Sequence, residues 1–230
     1  RSTDGGESWS DPIDVTQYGK SAEPLVLGFG SCFGLLNDKV FYATTYGLYV
    51  SEDEGKLWTH ERVRLSDSIH PLEPTAIYHN GHLIFLSRNH TLPFGGHRTI
   101  RSPHRPVMMV SSTGWFPMTH QAITNISSYR WPDTTDMDFN PMTKRYEAVV
   151  TNRSGGALDN EQNETHEQTV NLWSISHENL YAGRAAKWRF EVTLLRLKSG
   201  MLDMKPENVD AAHPGGAVID EEMGVQHIFI

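Results

Sequence analysis

The sequence predicts an all-β fold in which one small antiparallel unit is repeated along the chain. A turn motif of eight residues occurs twice, and the rest of the chain alternates apolar and polar residues over short stretches that end in turn residues. The chain has 230 residues, of which 38% are hydrophobic, so it can bury a packed core. We therefore expect residues 1–230 to form a single β domain.

The repeated turn motif fits the pattern S-x-D-x-G-x-x-W, and its second copy begins 49 residues after the first. Ser and Asp side chains accept hydrogen bonds from nearby backbone N–H groups, and Gly tolerates the positive φ that tight turns often need. The Trp starts the next strand and offers a large apolar surface to its neighbours. We expect a structural role for both copies, which consist of Ser2, Asp4, Gly6 and Trp9 and of Ser51, Asp53, Gly55 and Trp58.

The alternating stretches group into successive units. The sequence predicts the end of one unit at residues 1–18, complete units at 25–64, 73–123 and 136–197, and the start of another at 215–230. Turns are predicted at Asn37-Asp38, Asn80-Gly81 and Asn140–Thr143, because Asn, Asp, Gly and Pro favour turn conformations. In the third complete unit we expect the first strand to begin at Met137.

Turn motifs of this form resemble the Asp boxes of the sialidase (neuraminidase) superfamily and of related BNR-repeat proteins. The resemblance implies a six-bladed β-propeller in which each unit is one blade and the Asp box lies away from the active site. The chain opens on a motif without an initial Met and closes inside a predicted strand. We therefore expect a partial set of blades, taken from a longer reading frame that continues at both ends.

The resemblance extends to residues that carry chemistry in the family. A stretch at Gly28–Ser31 is similar to a G-P-G-S-G stretch that precedes an Asp box in sialidases. In the next unit, Glu73 begins the first strand and Arg88 ends the second, which matches the family in order and spacing. There the Glu activates a Tyr nucleophile and the Arg binds the carboxylate of the substrate. A guanidinium binds a carboxylate with two parallel hydrogen bonds; a strand-end ion pair is the alternative interpretation.

Two further positions match the family less closely. Arg153 ends a predicted strand in the next unit and is a candidate for a second carboxylate-binding Arg, although the family usually places that Arg directly before the strand that leads to the Asp box. Here residues 164–168 fill that place without an Arg. His213 stands roughly where the family has its Tyr nucleophile, and His can act as a base, an acid or a weak nucleophile.

These matches imply an exo-acting glycoside hydrolase similar to exo-α-sialidase, which cleaves a terminal acidic sugar from glycans. Its expected catalytic residues are Glu73 and His213, and its expected substrate-binding residues are Arg88 and Arg153. One alternative is a non-catalytic BNR-repeat propeller that binds a glycan or a protein. Another is a hydrolase of the same superfamily with a different sugar specificity, for which His213 in place of the Tyr would be diagnostic.

Two other groups of residues leave alternatives open. The loop at residues 90–105 is locally basic, with His97 and His104 among three Arg, and is either an anionic-sugar subsite or a solvated loop. Tyr129 and Trp131 either stack on a sugar ring or pack between blades. The loop at residues 90–105 is long, and long loops in a compact β fold are often functional.

Composition excludes several classes of partner. A net charge of −8 argues against nucleic acid as the main partner, and no apolar stretch has the length of a membrane helix. The single cysteine, Cys32, excludes an intrachain disulfide, and the His spacing does not support a metal site, so we expect no cofactor.

A secreted or periplasmic location is favoured over a cytoplasmic one. Four N-x-S/T sequons begin at Asn89, Asn125, Asn152 and Asn163. Because such matches often arise by chance, we give them little weight.

Overall fold

The computed structural model describes residues 2–11, 32–36, 39–44, 47–62, 71–89, 107–110, 120–126, 131–153, 167–181, 187–198 and 216–230. Over these residues the chain forms fourteen β-strands, and its one helix is a short 3-10 helix at His177–Tyr181. The predicted all-β class is thus confirmed for this part of the chain. In the described ranges no helix has the length and apolarity that a membrane crossing requires.

The strands form four antiparallel sheets in which consecutive strands pair as a meander. Sheet 1 contains β1 (Cys32–Leu36), β2 (Lys39–Thr44), β3 (Gly47–Ser51) and β4 (Thr59–Arg62). Sheet 2 contains β5 (Pro71–His79), β6 (His82–Asn89), β7 (Val107–Val110) and β8 (His120–Ile123). Sheet 3 contains β9 (Trp131–Asn140), β10 (Arg145–Arg153), β11 (Glu167–Ser176) and β12 (Arg189–Lys198). Sheet 4 is the hairpin of β13 (Gly216–Asp220) and β14 (Val225–Phe229).

Turn chemistry fixes the register of the hairpins in sheets 2 and 3. Asn80 and Gly81 have φ angles of 49° and 78°, which is the two-residue turn that an Asn-Gly pair favours between antiparallel strands. Asn140 closes the other turn, since its Oδ1 accepts the backbone N–H groups of Met142 at 2.9 Å and Thr143 at 3.3 Å. Both turns lie where the sequence predicted them.

Equivalent strands of sheets 2 and 3 run in the same direction. The first strands of consecutive sheets, β1, β5, β9 and β13, neighbour one another in that order. His79, the last residue of β5, stacks on Phe139 near the end of β9 with ring centroids 3.7 Å apart. Because the two strands finish side by side, they also start side by side. We call the end with the turns at residues 80–81 and 141–144 the turn end, and the opposite end, where β5 and β9 begin and β6 and β10 finish, the loop end.

Among the described residues, the largest hydrophobic core lies between sheets 2 and 3. Its residues alternate along each strand, because every second side chain of a strand points to the same face. Sheet 2 is buried on both faces: Leu83 and Phe85 lie on the face opposite to Ile84 and Leu86 and are equally buried. The core residues from the two sheets are Ile84, Leu86, Met108, Val110, Met137, Tyr146, Ala148, Val150, Trp173 and Ile175.

Two predicted strand starts are wrong: β5 begins at Pro71, before the predicted start at Glu73, and β9 also begins early. β9 begins at Trp131, six residues before the predicted start at Met137. Pro132 and the polar residues after it hid this part of the strand, because proline removes a hydrogen bond from the ladder and argues against a strand interior. The structure accommodates this stretch with a bulge, which bears directly on the candidate site.

Candidate functional site

The first strand of sheet 2 carries a β-bulge at the loop end. Leu72 pairs with Arg88, whereas Thr75 pairs with Leu86, so β5 has one extra residue between these two pairs. Glu73 and Pro74 fill the bulge. Proline fits there because a bulged residue need not donate to the ladder. The backbone thus brings Glu73 next to the residue that pairs with Arg88, and both predicted site residues lie at the same end of sheet 2.

The first strand of sheet 3 carries a bulge at the equivalent position. Pro132 pairs with Asn152, whereas Thr135 pairs with Val150, so the extra residue lies between Pro132 and Thr135. Asp133 and Thr134 fill this bulge. Arg153, the last residue of β10, pairs with Trp131 on one side and with Gln168 on the other. Arg153 and Trp131 therefore lie at the loop end as well, whereas the predicted catalytic residue His213 and the basic loop at 90–105 lie outside the described residues.

Sequence reasoning did not single out Asp133. Register assigns it the same place in sheet 3 that Glu73 has in sheet 2, because each acidic residue directly follows the last regular pair before its bulge. β-Bulges concentrate near active sites, where they redirect side chains. A signal was present in the sequence: at each bulge an acidic residue stands next to a proline, which lies within the bulge in Glu73-Pro74 and directly before it in Pro132-Asp133.

Two more carboxylates follow on the same strand. Burial raises the pKa of the Asp136 carboxyl, and the charge of Asp138 raises it further, while the backbone N–H of Ala217 on β13 donates a hydrogen bond to it. Burial also raises the pKa of Asp138. Carboxyls whose pKa is raised by burial retain a proton to higher pH, which is the property of a general acid. Asp136 lies three residues beyond Asp133, or about 10 Å along the strand.

Both copies of the turn motif form the same set of hydrogen bonds. The Asp Oδ1 accepts the backbone N–H four residues later, at 3.0 Å from Ser8 and 2.8 Å from Leu57. The Ser hydroxyl donates to this Asp and accepts the Gly N–H, at 2.8 Å in the first copy and 2.7 Å in the second. The Trp Nε1 donates to the Gly carbonyl, at 3.2 Å and 2.9 Å. These bonds lower the pKa of Asp4 and Asp53, chiefly through Ser8 and through the Leu57 N–H.

The two copies differ in what covers the Trp. Trp58 is 7% exposed and packs against Tyr42 and Tyr49, as expected for a side chain that starts a strand. Trp9 is 72% exposed. Among the described residues, the expectation that the Trp packs against neighbouring strands is therefore wrong for the first copy. The second copy joins β3 to β4, on the same side of sheet 1 as the connection from β1 to β2. It therefore corresponds to the turn end, away from the bulges.

Within the described residues, no group of three or more His, Cys, Asp or Glu side chains could hold a metal ion. The strand register places the backbones of two acidic residues, Glu73 and Asp133, and of two arginines, Arg88 and Arg153, at the loop end of two neighbouring sheets. Such a set can bind an anionic group and transfer protons.

A scan against protein-family models finds no match, and a search of the curated proteins also finds none. Solved structures do match. The Bombyx mori GH32 beta-fructofuranosidase BmSUC1 is 14% identical with a TM-score of 0.43, and the match covers 74% of this chain and 36% of that one. An N-acetylgalactosamine deacetylase from F. plautii, in complex with blood group B trisaccharide, is 11% identical with a TM-score of 0.43, covering 87% of this chain and 56% of that one. The chain thus spans about a third and just over half of these two proteins. At these values neither match assigns a type of fold or an activity to it.

Proposed function

We propose that this chain belongs to an exo-acting glycoside hydrolase, similar to an exo-α-sialidase, that cleaves a terminal acidic sugar from glycans. The observation that carries the proposal is the pair of equivalent bulges, which supports a shared site at the loop end of sheets 2 and 3. The proposal includes a six-bladed propeller of the sialidase type. In that fold sheets 1–3 are consecutive blades and sheet 4 belongs to a fourth.

In the proposed site, Arg88 and Arg153 bind the carboxylate of the sugar. Guanidinium groups suit this task because they stay charged at any working pH and offer two parallel donors. Glu73 is the base that activates the nucleophile, and His213 faces the sugar at the position of the nucleophile.

Asp133 is a second acidic group that the register adds to this set. Most glycoside hydrolases use two carboxylates, one to protonate the leaving group and one to act on the sugar, and sialidases with a Tyr nucleophile are an exception. A carboxylate at the equivalent position of the neighbouring sheet would let this site work without the Tyr that the sequence lacks at position 213.

The test is hydrolysis of fluorogenic glycosides by the purified protein, with an acidic sugar and a neutral sugar compared side by side. We expect turnover of the acidic sugar, and Arg88→Lys should lower its kcat/KM by more than about tenfold, since Lys cannot reproduce the two-donor contact. Arg189→Lys is the matched control, because Arg189 is exposed on β12 and pairs with Glu191. Equal turnover of both sugars with no loss in Arg88→Lys would refute the carboxylate-binding role. Glycan binding without any turnover would favour the non-catalytic propeller.

A further inference from the structure

Three side chains meet at the turn end, away from the proposed site. The hydroxyl of Tyr146 lies 3.0 Å from Nδ1 of His79 and 3.1 Å from Nδ1 of His177. His79 ends β5, Tyr146 lies at the start of β10, and His177 begins the 3-10 helix that follows β11. Tyr146 is fully buried in the core between sheets 2 and 3. The bond between His79 and Tyr146 therefore joins sheet 2 to sheet 3, and the bond to His177 holds the same hydroxyl from the sheet 3 side.

The proton count of this arrangement depends on pH. A tyrosine hydroxyl has one proton, and a neutral imidazole has one N–H, so Tyr146 donates to one His and accepts from the other when both rings are neutral. With one ring protonated, that ring donates to the Tyr146 oxygen and the hydroxyl donates to Nδ1 of the neutral ring, so both bonds persist. Once both rings are protonated, neither Nδ1 can accept the hydroxyl proton, and the bond in which Tyr146 is the donor is lost inside a core where rearrangement is costly.

The surroundings act in the same direction. Burial lowers the pKa of His79, and the nearby His177 and His82 lower it further, while Asp138 on β9 opposes them. The ring of His82 on β6 lies 5.1 Å from that of His177, so positive charge on these rings would accumulate in one place. The charge of Asp138 works against the lowered pKa of His79, and burial and the charge of Glu147 on β10 raise the pKa of Asp138 in turn.

We propose that His79, Tyr146 and His177 form a pH-sensitive clasp that holds sheet 2 against sheet 3 at neutral pH and loosens as the solution becomes acidic. The same two sheets carry Arg88 and Arg153 at the loop end. From Glu73 to His79 is six residues along β5, or about 20 Å, so the clasp and the proposed site lie at opposite ends of one seam. Acid would loosen the support of that site from the opposite end of the seam.

The sign follows from the lowered pKa of His79. In the unfolded chain this His binds a proton below about pH 6.5, whereas in the folded chain it does so only at lower pH. The stabilisation is therefore complete above about pH 6.5 and is lost as the pH falls from there towards the folded value.

The experiment measures thermal unfolding of the purified protein between pH 8 and 5, for the wild type and for Tyr146→Phe. Phenylalanine keeps the buried ring and removes only the hydroxyl. We expect the unfolding constant of Tyr146→Phe to rise about five- to tenfold at pH 7.5, and the difference from the wild type to shrink at pH 5.5. His227→Asn, an exposed position on β14, should keep the wild-type pH dependence.

Amide hydrogen exchange of the wild type provides a measurement that needs no variant. Corrected for intrinsic rates, exchange at residues 76–79 and 145–148 should increase at pH 5.5 relative to pH 7.5, while exchange at residues 48–51 of sheet 1 should not. An unchanged rate ratio at the seam would overturn the proposal, as would a Tyr146→Phe variant that retains the pH dependence of the wild type. Neither thermal unfolding nor amide exchange depends on glycoside turnover, so a negative result here would not contradict the proposed function.

Discussion

Replacing Asn125 by alanine should loosen a second connection between sheets 2 and 3. Asn125 follows β8, and its side chain pairs with the backbone of Trp188 just before β12. Its Oδ1 accepts the Trp188 N–H at 2.6 Å, and its Nδ2 donates to the Trp188 carbonyl at 2.8 Å. The amide thus completes both backbone hydrogen bonds of a residue whose side chain is 3% exposed. Each bond contributes about 1 kcal/mol, so Asn125→Ala should cost about 2–3 kcal/mol of unfolding free energy.

Chemical denaturation at pH 7 measures this cost, and two variants calibrate it. Asn125→Asp keeps an acceptor for the Trp188 N–H but sets an oxygen against the carbonyl, so its loss should be close to that of the alanine variant. Asn179→Ala removes a single bond to Ser176 within one turn of chain and should cost about 1 kcal/mol or less. A cost for Asn125→Ala no greater than that for Asn179→Ala would refute the reasoning.

Three further changes test other parts of the fold. Gly34→Ala should destabilise by about 1–3 kcal/mol, because an added Cβ would collide with the ring of the buried Phe41; Phe41→Leu in the same chain should recover part of the loss in denaturation curves. Ser51→Ala should cost about 1–2 kcal/mol, since it leaves the Gly55 N–H without the acceptor that holds the turn. Asp136→Asn should raise Tm at pH 7 and have no such effect below about pH 3.8, because the raised pKa of Asp136 means that the fold disfavours its charged form and stability falls as the pH rises past the unfolded value. A Tm difference that is the same at both pH values would contradict this last assignment.

Turns were the part of the fold that the sequence predicted best, and the reason is local. Asn80 and Gly81 adopt positive φ, a conformation that few residue types favour. The Asn-Gly pair alone therefore predicts the hairpin. The S-x-D-x-G-x-x-W turns satisfy their own backbone within eight residues. Both features are encoded in consecutive residues and need no partner from elsewhere in the chain.

The connections between sheets could not be predicted in the same way. Asn125 and Trp188 are separated by 63 residues, and His79 and Tyr146 by 67. The sequence around one partner does not predict the other, because the contact forms only when the two meanders pack together. Hydrophobic alternation does predict that Tyr146 faces the core, but which groups its hydroxyl meets is decided by the turn of another sheet.

The bulges lie between these two cases, and they explain why only part of the proposed site was singled out from the sequence. A bulge adds one residue to one strand, so it breaks the alternation on which strand prediction relies. This is why β9 was predicted to start after Asp133, and why Glu73 was found by resemblance while its counterpart was not. Once register is known, the repeat becomes visible at the level of pairs: an acidic residue follows the pair Leu72–Arg88 in one sheet and the pair Pro132–Asn152 in the next. In a repeated fold, an irregularity that recurs at the same register in neighbouring units therefore identifies candidate functional positions, because β-bulges are over-represented next to active sites.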